Sequence, residues 1–580
     1  MRRTPIVFLT AMLLTSACTT KERCDLIVFN GRITTMDDSI RRATAFAVQD
    51  GRILAVGSDA TIRDGYVSDR VVDLAGKPVY PGFIDAHAHL HGLGEESTIL
   101  GLHETEDKTE VLELLRARVA SVAPGAWIRG RGWDQNRWTD RRFPSTQDLD
   151  AITTRHPVFL SRVDGHAVWV NSRALTLARI TRQTPDPPGG KILRDQRGDP
   201  TGILLDQAIE LVRAHIPPPD AEAMARTYRA AVQRCLAVGL VGVHDMGMTA
   251  TGIEAIRLLI TQKAFPFHLV AYVDDSDPDT WESLLKSGRQ VVGTTQLVLA
   301  GLKLYADGAL GSRGALLLEE YADDPGNRGI AIQSGDSIRR ETMRALEAGL
   351  QVCVHAIGDG AVRTVLDAYE AALDTAPSPR APLRVEHAQV IAPRDLPRFA
   401  SLGVVPSMQP THCTSDMTWA EARLGARRVR SAYAWASLRK SGAWIPAGSD
   451  FPVERPDPIA GLYAAIFRMT AEGMPVSQAD IDAAFQTDPA SPALPARWTN
   501  GWFAEQCLSR MDALRGFTIW AARAAGLENE RGSIAAGKWA DFVVLSEDIL
   551  TVPRGRFLST RVLSTWVAGV QVFARTADAE

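Results

Sequence analysis

Residues 81–89 read Pro-Gly-Phe-Ile-Asp-Ala-His-Ala-His. An apolar run ends there on two imidazoles two positions apart, and alternate side chains of a strand share a face, so His87 and His89 can converge on one ion. The same theme recurs along the middle of the chain: a short apolar run closes on polar residues, and a segment of helical period follows. The later runs close on His244-Asp245, Asp274, Lys303 to Asp307, His355 to Asp359, Glu386-His387, Gln409-Pro410 and Ser449-Asp450. That makes eight strands, the number a (β/α)8 TIM-like barrel requires, and the barrel gathers its catalytic residues at the strand ends. Helices are predicted between them, for example over 337–348, 361–372 and 426–439.

The flanks of this middle are of another kind. Residues 25–30 alternate as a strand, and 45–49 and 53–56 read as a hairpin around Asp50-Gly51, a pair suited to a type I′ turn. At the far end, 541–545 and 565–573 are again strand-like, the latter around Ala568-Gly569. The expected architecture is α/β: a small β-sandwich domain built from both chain ends (18–80 and 526–580) encloses the barrel (81–525). Residues 92–227 break the repeat with Trp127, Trp133, Trp138 and Trp169, a strand-like run at 157–160 and a Pro/Gly-rich span at 184–190. They read as an inserted subdomain over the barrel mouth, where long insertions shape pockets.

Composition narrows the class. Sixty-four Lys and Arg stand against 68 Asp and Glu, a formal charge of −4. No excess of cations points to nucleic acid as a partner. With 45% apolar and 23% charged residues, the chain is neither intrinsically disordered nor a multi-span membrane protein. Arg2 and Arg3 precede an apolar stretch over 5–14 and then Thr15, Ser16, Ala17 and Cys18, the layout of a signal peptide over 1–17. The small residues before Cys18 resemble a bacterial lipoprotein signal, although Thr15 stands where that pattern carries Leu, and simple cleavage is the alternative. The expected location is exported, in the periplasm or as a cell-envelope lipoprotein tethered through Cys18. The other five cysteines are scattered and imply no disulfide framework.

Three further strand ends carry His355, His387 and Asp450, potential ligands at the same topological position as His87 and His89. Lys303 is unusual, because Leu-Lys-Leu-Tyr sets a cation in an apolar strand, where an unpaired charge costs several kcal/mol. Burial favours the neutral amine, which can react with CO2 to a carbamate able to bridge two metals. The alternative is an ion pair with Asp307 or Asp274.

The set PGFIDAHAH, GLKLYADGALGSR, VHAIGD, VEHAQ and GSDFPVE, with GRGWDQNRW and DGHAVWVNSRAL in the inserted region, resembles the amidohydrolase superfamily. The likeness is to its YtcJ-like group (amidohydrolase 3), which includes N-substituted formamide deformylase, and it covers nearly the whole mature chain. It implies that His87 and His89 bind one divalent metal, that a carboxylated Lys303 bridges to a second held by His355 and His387, and that Asp450 serves the first. One or two ions are compatible with the pattern, and imidazole and carboxylate ligands point to Zn2+. The implied chemistry is attack by a metal-activated hydroxide on a carbonyl, with Asp450 as general base and then general acid to the leaving nitrogen.

The resemblance makes the chain an enzyme, an amidohydrolase acting on non-peptide carbon-nitrogen bonds of a small-molecule substrate. An esterase, lactonase or phosphoesterase on the same metal centre is the alternative, since ligands fix the nucleophile and not the leaving group. A deaminase fits less well, because the mononuclear deaminases lack the strand-four lysine. A non-catalytic, lipid-anchored binding protein is the alternative of another class. Trp133, His166, Arg313 and His412 lie in loops expected at the mouth and are candidates for substrate binding, Arg313 and His166 each with an equal structural reading. His244 is read as structural, and His91, His103, His156, His215 and His268 carry no expected ligand role.

Overall fold

The computed structural model describes residues 21–576 except 97, 103–104, 136–137, 139–141, 163–166, 188–189, 295 and 471–500. The candidate residues Cys18 and His166, and the segment read as a signal peptide, lie outside the described residues. No described helix is long and apolar enough to cross a membrane.

Seven parallel strands follow one another around the barrel in chain order: β1 (Phe83–Ala88), β2 (Leu240–Met248), β3 (His268–Asp274), β4 (Leu297–Tyr305), β5 (Gln351–Ala356), β6 (Arg384–His387) and β7 (Val405–Ser407). An antiparallel strand, Gln290–Val292, adds to β4 outside this order. The eighth stave is too irregular to be a strand, yet it closes the wall. Ala447 bridges Met408 in parallel, and its carbonyl accepts the Ala86 N–H at 3.0 Å. Strands buried on both faces read as continuous apolar runs, as in β4, where the eight residues Leu297–Leu304 are all buried.

Strands from both ends of the chain share a second unit. A six-stranded sheet runs Val570–Ala574, Val562–Val567, Phe542–Leu545, Pro78–Pro81, Arg32–Thr34, Arg42–Ala43, and a four-stranded sheet is made of Arg52–Gly57, Ala45–Gln49, Leu26–Phe29 and Val71–Asp73. Apolar side chains of both sheets, among them Val28, Phe46, Phe542 and Trp566, pack as one core. At the turn 50–51 both residues have positive φ, 52° and 73°, as a type I′ turn demands. The strand Pro78–Pro81 runs directly into β1, so this sheet seats the first candidate ligands.

The insertion is a six-stranded sheet from Leu100 to Asp206 with its own apolar clusters. It is narrower than the 92–227 expected from sequence, because Leu90–Glu96 and Ala221–Ala237 are helices that pack on each other and into the barrel core. The helix expected over 426–439 is also corrected. It breaks into Ala420–Arg428, a 3-10 turn Val429–Ser431 and Trp435–Lys440. The break falls where Tyr433 adopts a left-handed φ of 52° and donates its N–H to the Gln389 carbonyl at 2.7 Å.

Candidate metal centre

The C-terminal rims of β1, β5 and β6 and the loop after the eighth stave bring five sequence candidates together. The His87 and His387 ring centroids lie 4.7 Å apart, and those of His355 and His387 4.5 Å. One donor atom from each of His87, His387 and Asp450 falls within 4.8 Å of the others, and all three residues are buried. His89 Nε2 lies 3.0 Å and His87 Nε2 3.4 Å from Asp450 Oδ1. The backbone is shaped to aim these groups. His387 and Asp450 take left-handed φ of 70° and 60°, a region costing non-glycine residues on the order of 1–3 kcal/mol. Asp450 N–H donates to the His87 carbonyl at 2.8 Å. A Cβ on Gly448 would sit 2.5 Å from the His87 nitrogen, so only glycine lets the eighth stave approach β1 this closely.

The layer beneath was not legible as a site in the sequence. Glu386 Oε2 lies 2.6 Å from His87 Nδ1. Arg384 is fully buried; it donates to Glu386 Oε1 through Nε at 2.7 Å and to Glu386 Oε2, Ser407 Oγ and the Ala86 carbonyl through Nη2. Its Nη1 lies 2.9 Å from His244 Nδ1. A guanidinium has only donors, so His244 accepts there and is neutral, and burial together with Arg384 holds its pKa well below the usual imidazole value. The carboxylate of Glu386 keeps the proton of His87 on Nδ1, and the Gln409 amide oxygen, 2.8 Å from His387 Nδ1, does the same there. Both rings therefore turn an Nε2 lone pair toward the rim, the arrangement that carboxylate and amide partners impose on metal-binding histidines.

These ring nitrogens converge on the Asp450 carboxylate. Asp450 Oδ1, His355 Nε2 and His412 Nε2 are buried polar atoms with no hydrogen-bond partner. Buried polar atoms without partners are costly; a cation bound among these side chains would satisfy them, and imidazole with carboxylate is a donor set for Zn2+ or a similar divalent ion. Burial raises the Asp450 pKa, but the surrounding histidines, His87 foremost, outweigh it and hold the carboxyl well below its usual range. His355 is lowered to about 3 by burial, with Lys303 adding to it, and stays a neutral donor.

The other candidates fall less uniformly. Lys303 is buried inside β4 with its Nζ 5.0 Å from the Tyr305 ring centroid. The alternative ion pair is absent, for no carboxylate among the described residues comes within 4.0 Å of Nζ. Asp307 instead accepts the backbone N–H groups of Leu316, Ile357 and Gly358, and Asp274 accepts from Ser276 and Tyr305. Burial lowers the Lys303 pKa against the pull of Glu386 and Asp450. His355 presents Nε2 to Asp307 Oδ1 at 3.4 Å, so it borders the cluster without completing it. His412, from the helix Pro410–Asp416, stacks on His387 and reaches within 3.8 Å of Asp450 Oδ2.

Two expectations for substrate contacts change. Trp133 is no pocket residue; it is fully buried in the insertion with Trp138 and Trp169, and its Nε1 donates to the Leu160 carbonyl at 2.8 Å. Arg313 donates through Nε and Nη2, one edge of its guanidinium, to the two carboxylate oxygens of Asp323 at 3.1 and 2.9 Å, as its structural reading had it.

The amidohydrolase family model matches residues 70–573, nearly the whole described chain. The chain belongs to the amidohydrolase family. Its relatives include Protein LONG AFTER FAR-RED 3 of Arabidopsis thaliana, 35% identical over 95% of this chain and 91% of that protein. The putative amidohydrolase YtcJ of Bacillus subtilis is 32% identical over 94% and 99%, and the N-substituted formamide deformylase of Arthrobacter pascens 29% identical over 96% and 99%. Among solved structures, an uncharacterized metal-dependent hydrolase of Pyrococcus horikoshii superposes with a TM-score of 0.74 at 28% identity, covering 91% of this chain and 99% of that one. Family membership makes this chain a hydrolase of the metal-dependent amidohydrolase superfamily, and the cluster of His87, His387 and Asp450 is where its metal fits.

Proposed function

We propose that the chain hydrolyses a carbon-nitrogen bond of amide type in a small, non-peptide substrate. The observation that carries this reading is the convergence of the His87, His387 and Asp450 donor atoms at the rim, and the likeness to a formamide deformylase supports the bond type. A divalent ion bound there, with Zn2+ suited to the donors, polarises a carbonyl and lowers the pKa of water toward about 7. His87, His89, His355, His387 and Asp450 would hold one or two such ions, with Lys303 as a carbamate between them. Burial makes the Lys303 amine available for CO2.

Asp450 is the proton carrier. One oxygen faces His87 and His89, and the other lies 3.8 Å from His412, so a proton taken from the attacking water by Asp450 can be returned to the leaving nitrogen. His412 borders this carboxylate and would orient the substrate carbonyl. Export and lipid attachment at Cys18 are proposed alongside, on the sequence of residues 1–18. The test is turnover of matched N-substituted formamides and formate esters by the zinc-loaded chain and by the chain after chelation. Zinc-dependent release of amine from the formamides is expected; ester cleavage alone would assign the centre to esters.

A further inference from the structure

A cavity of about 430 Å3 lies between the insertion and the segments that follow two of the candidate ligands. Its inner wall is made by the two segments that leave the site: Gly92, three residues past His89, and Pro452, two past Asp450. These touch closely enough that a Cβ on Gly92 would meet Pro452 at 2.9 Å. Its outer wall is one face of the inserted sheet. Arg129 and Arg131 alternate along Ile128–Trp133, and their register partners on Val158–Arg162 are Phe159 and Ser161. Ile216 and Pro218 complete an apolar side.

The charges lining this space cancel except at one place. Arg129 pairs with Glu95, Glu96 with Arg234, and Arg213 with Glu210. Arg131 is exposed and, among the described residues, has neither an ion pair nor a side-chain hydrogen bond, and the Ser161 hydroxyl beside it is equally unengaged there. An uncompensated guanidinium with a hydroxyl next to it, set against a phenylalanine and prolines, matches a carboxylate carried on an apolar body. The guanidinium fork binds such a group in bidentate fashion, while the body excludes water from the pair. The volume is in the range of a small-molecule site.

We propose that this cavity receives the far end of the substrate and selects a carboxylate through Arg131. The inference rests on the amide-hydrolase reading above for the identity of the reacting bond, not for the binding of the anion. The experiment therefore has two arms on the full, zinc-loaded chain. In the first, N-formyl-phenylalanine and N-formyl-phenylalaninamide are compared as substrates. The wild type should favour the acid in kcat/KM by on the order of tenfold, R131Q should bring the ratio toward one, and R131K should restore part of it. In the second, hydrocinnamate and hydrocinnamamide are titrated calorimetrically, with the same preference expected in the wild type and the same loss in R131Q. Should neither formyl compound be turned over, the amide-hydrolase reading fails for this class while the titration still decides the site. Equal preference in wild type and R131Q in the titration, with R131Q folded by circular dichroism, overturns the proposal.

Discussion

Glu386 Oε2 stands 2.6 Å from His87 Nδ1, although 299 residues separate them in the chain. Both side chains are sealed from solvent, and Arg384 clamps the carboxylate from the other side. The barrel floor thus settles the tautomer of a candidate ligand before any ion arrives.

Glu386→Gln should therefore weaken metal binding by about 10–100-fold, read by zinc retention against a graded chelator. It also strips Arg384 of its buried counter-charge, so unfolding in urea should show a loss of about 3–5 kcal/mol. Unchanged zinc retention in a folded variant would mean that the tautomer is set by something other than this carboxylate.

Lys303→Ala tests the bridging role. Metal analysis should show about two ions per wild-type chain falling to one or none in the variant. Equal metal content would remove the lysine from the centre.

Asp450→Asn should keep the fold while turnover drops roughly a thousandfold. A residual rate within a factor of a few of wild type would end its assignment as proton carrier.

Three buried histidines of the metal-stripped chain oppose acidification. His244, His355 and His387 are all held below the usual imidazole pKa, chiefly by burial. The unfolded chain takes up protons below about pH 6.5 that the folded one refuses. Their contribution is thus complete above that pH and shrinks below it, by up to about 1.4 kcal/mol per pH unit for each histidine. His89, raised by Asp450 against the effect of burial, works in the opposite sense. Asp85, Asp245 and Asp307, with carboxyls raised by burial to about 7, 6 and 7, also gain stability on acidification, so the test is a difference: between pH 8 and 5 the urea midpoint of His244→Gln, which keeps an acceptor for Arg384, should change relative to wild type by one histidine's share in the direction of greater acid stability.

Trp133→Ala should cost about 3–5 kcal/mol, as large-to-small changes in a packed core do, and appear as loss of the inserted sheet's protection in hydrogen exchange. A change in KM with stability intact would instead return Trp133 to the pocket.

The barrel was legible because its strands are buried on both faces and stop at polar residues, so Phe83–Ala88 or Leu297–Tyr305 announces itself without tertiary information. The histidines and Asp450 were legible for the same reason, each closing such a run. Arg384 and Glu386 were not: within Leu-Arg-Val-Glu-His their inward direction follows from β6 alternation, but their partners on β1, β2 and β7 exist only once the cylinder is closed. Trp133 misled because an aromatic in an insertion over a pocket has the same local sequence whether it faces the cavity or the insertion's own core. The kink at Tyr433 was hidden because 426–439 has helical composition throughout, and it is held by tertiary pairing of 431–433 with Gln389, Val390 and Ile391.

The pairing of Pro78–Pro81 with Phe542–Leu545 sets an order of events during synthesis. The segment bearing His87 and His89 leaves the ribosome early, yet the strand that holds its base in place is made more than four hundred residues later. A nascent chain or a truncated product thus lacks a seated first ligand strand, and only a completed polypeptide can finish the centre.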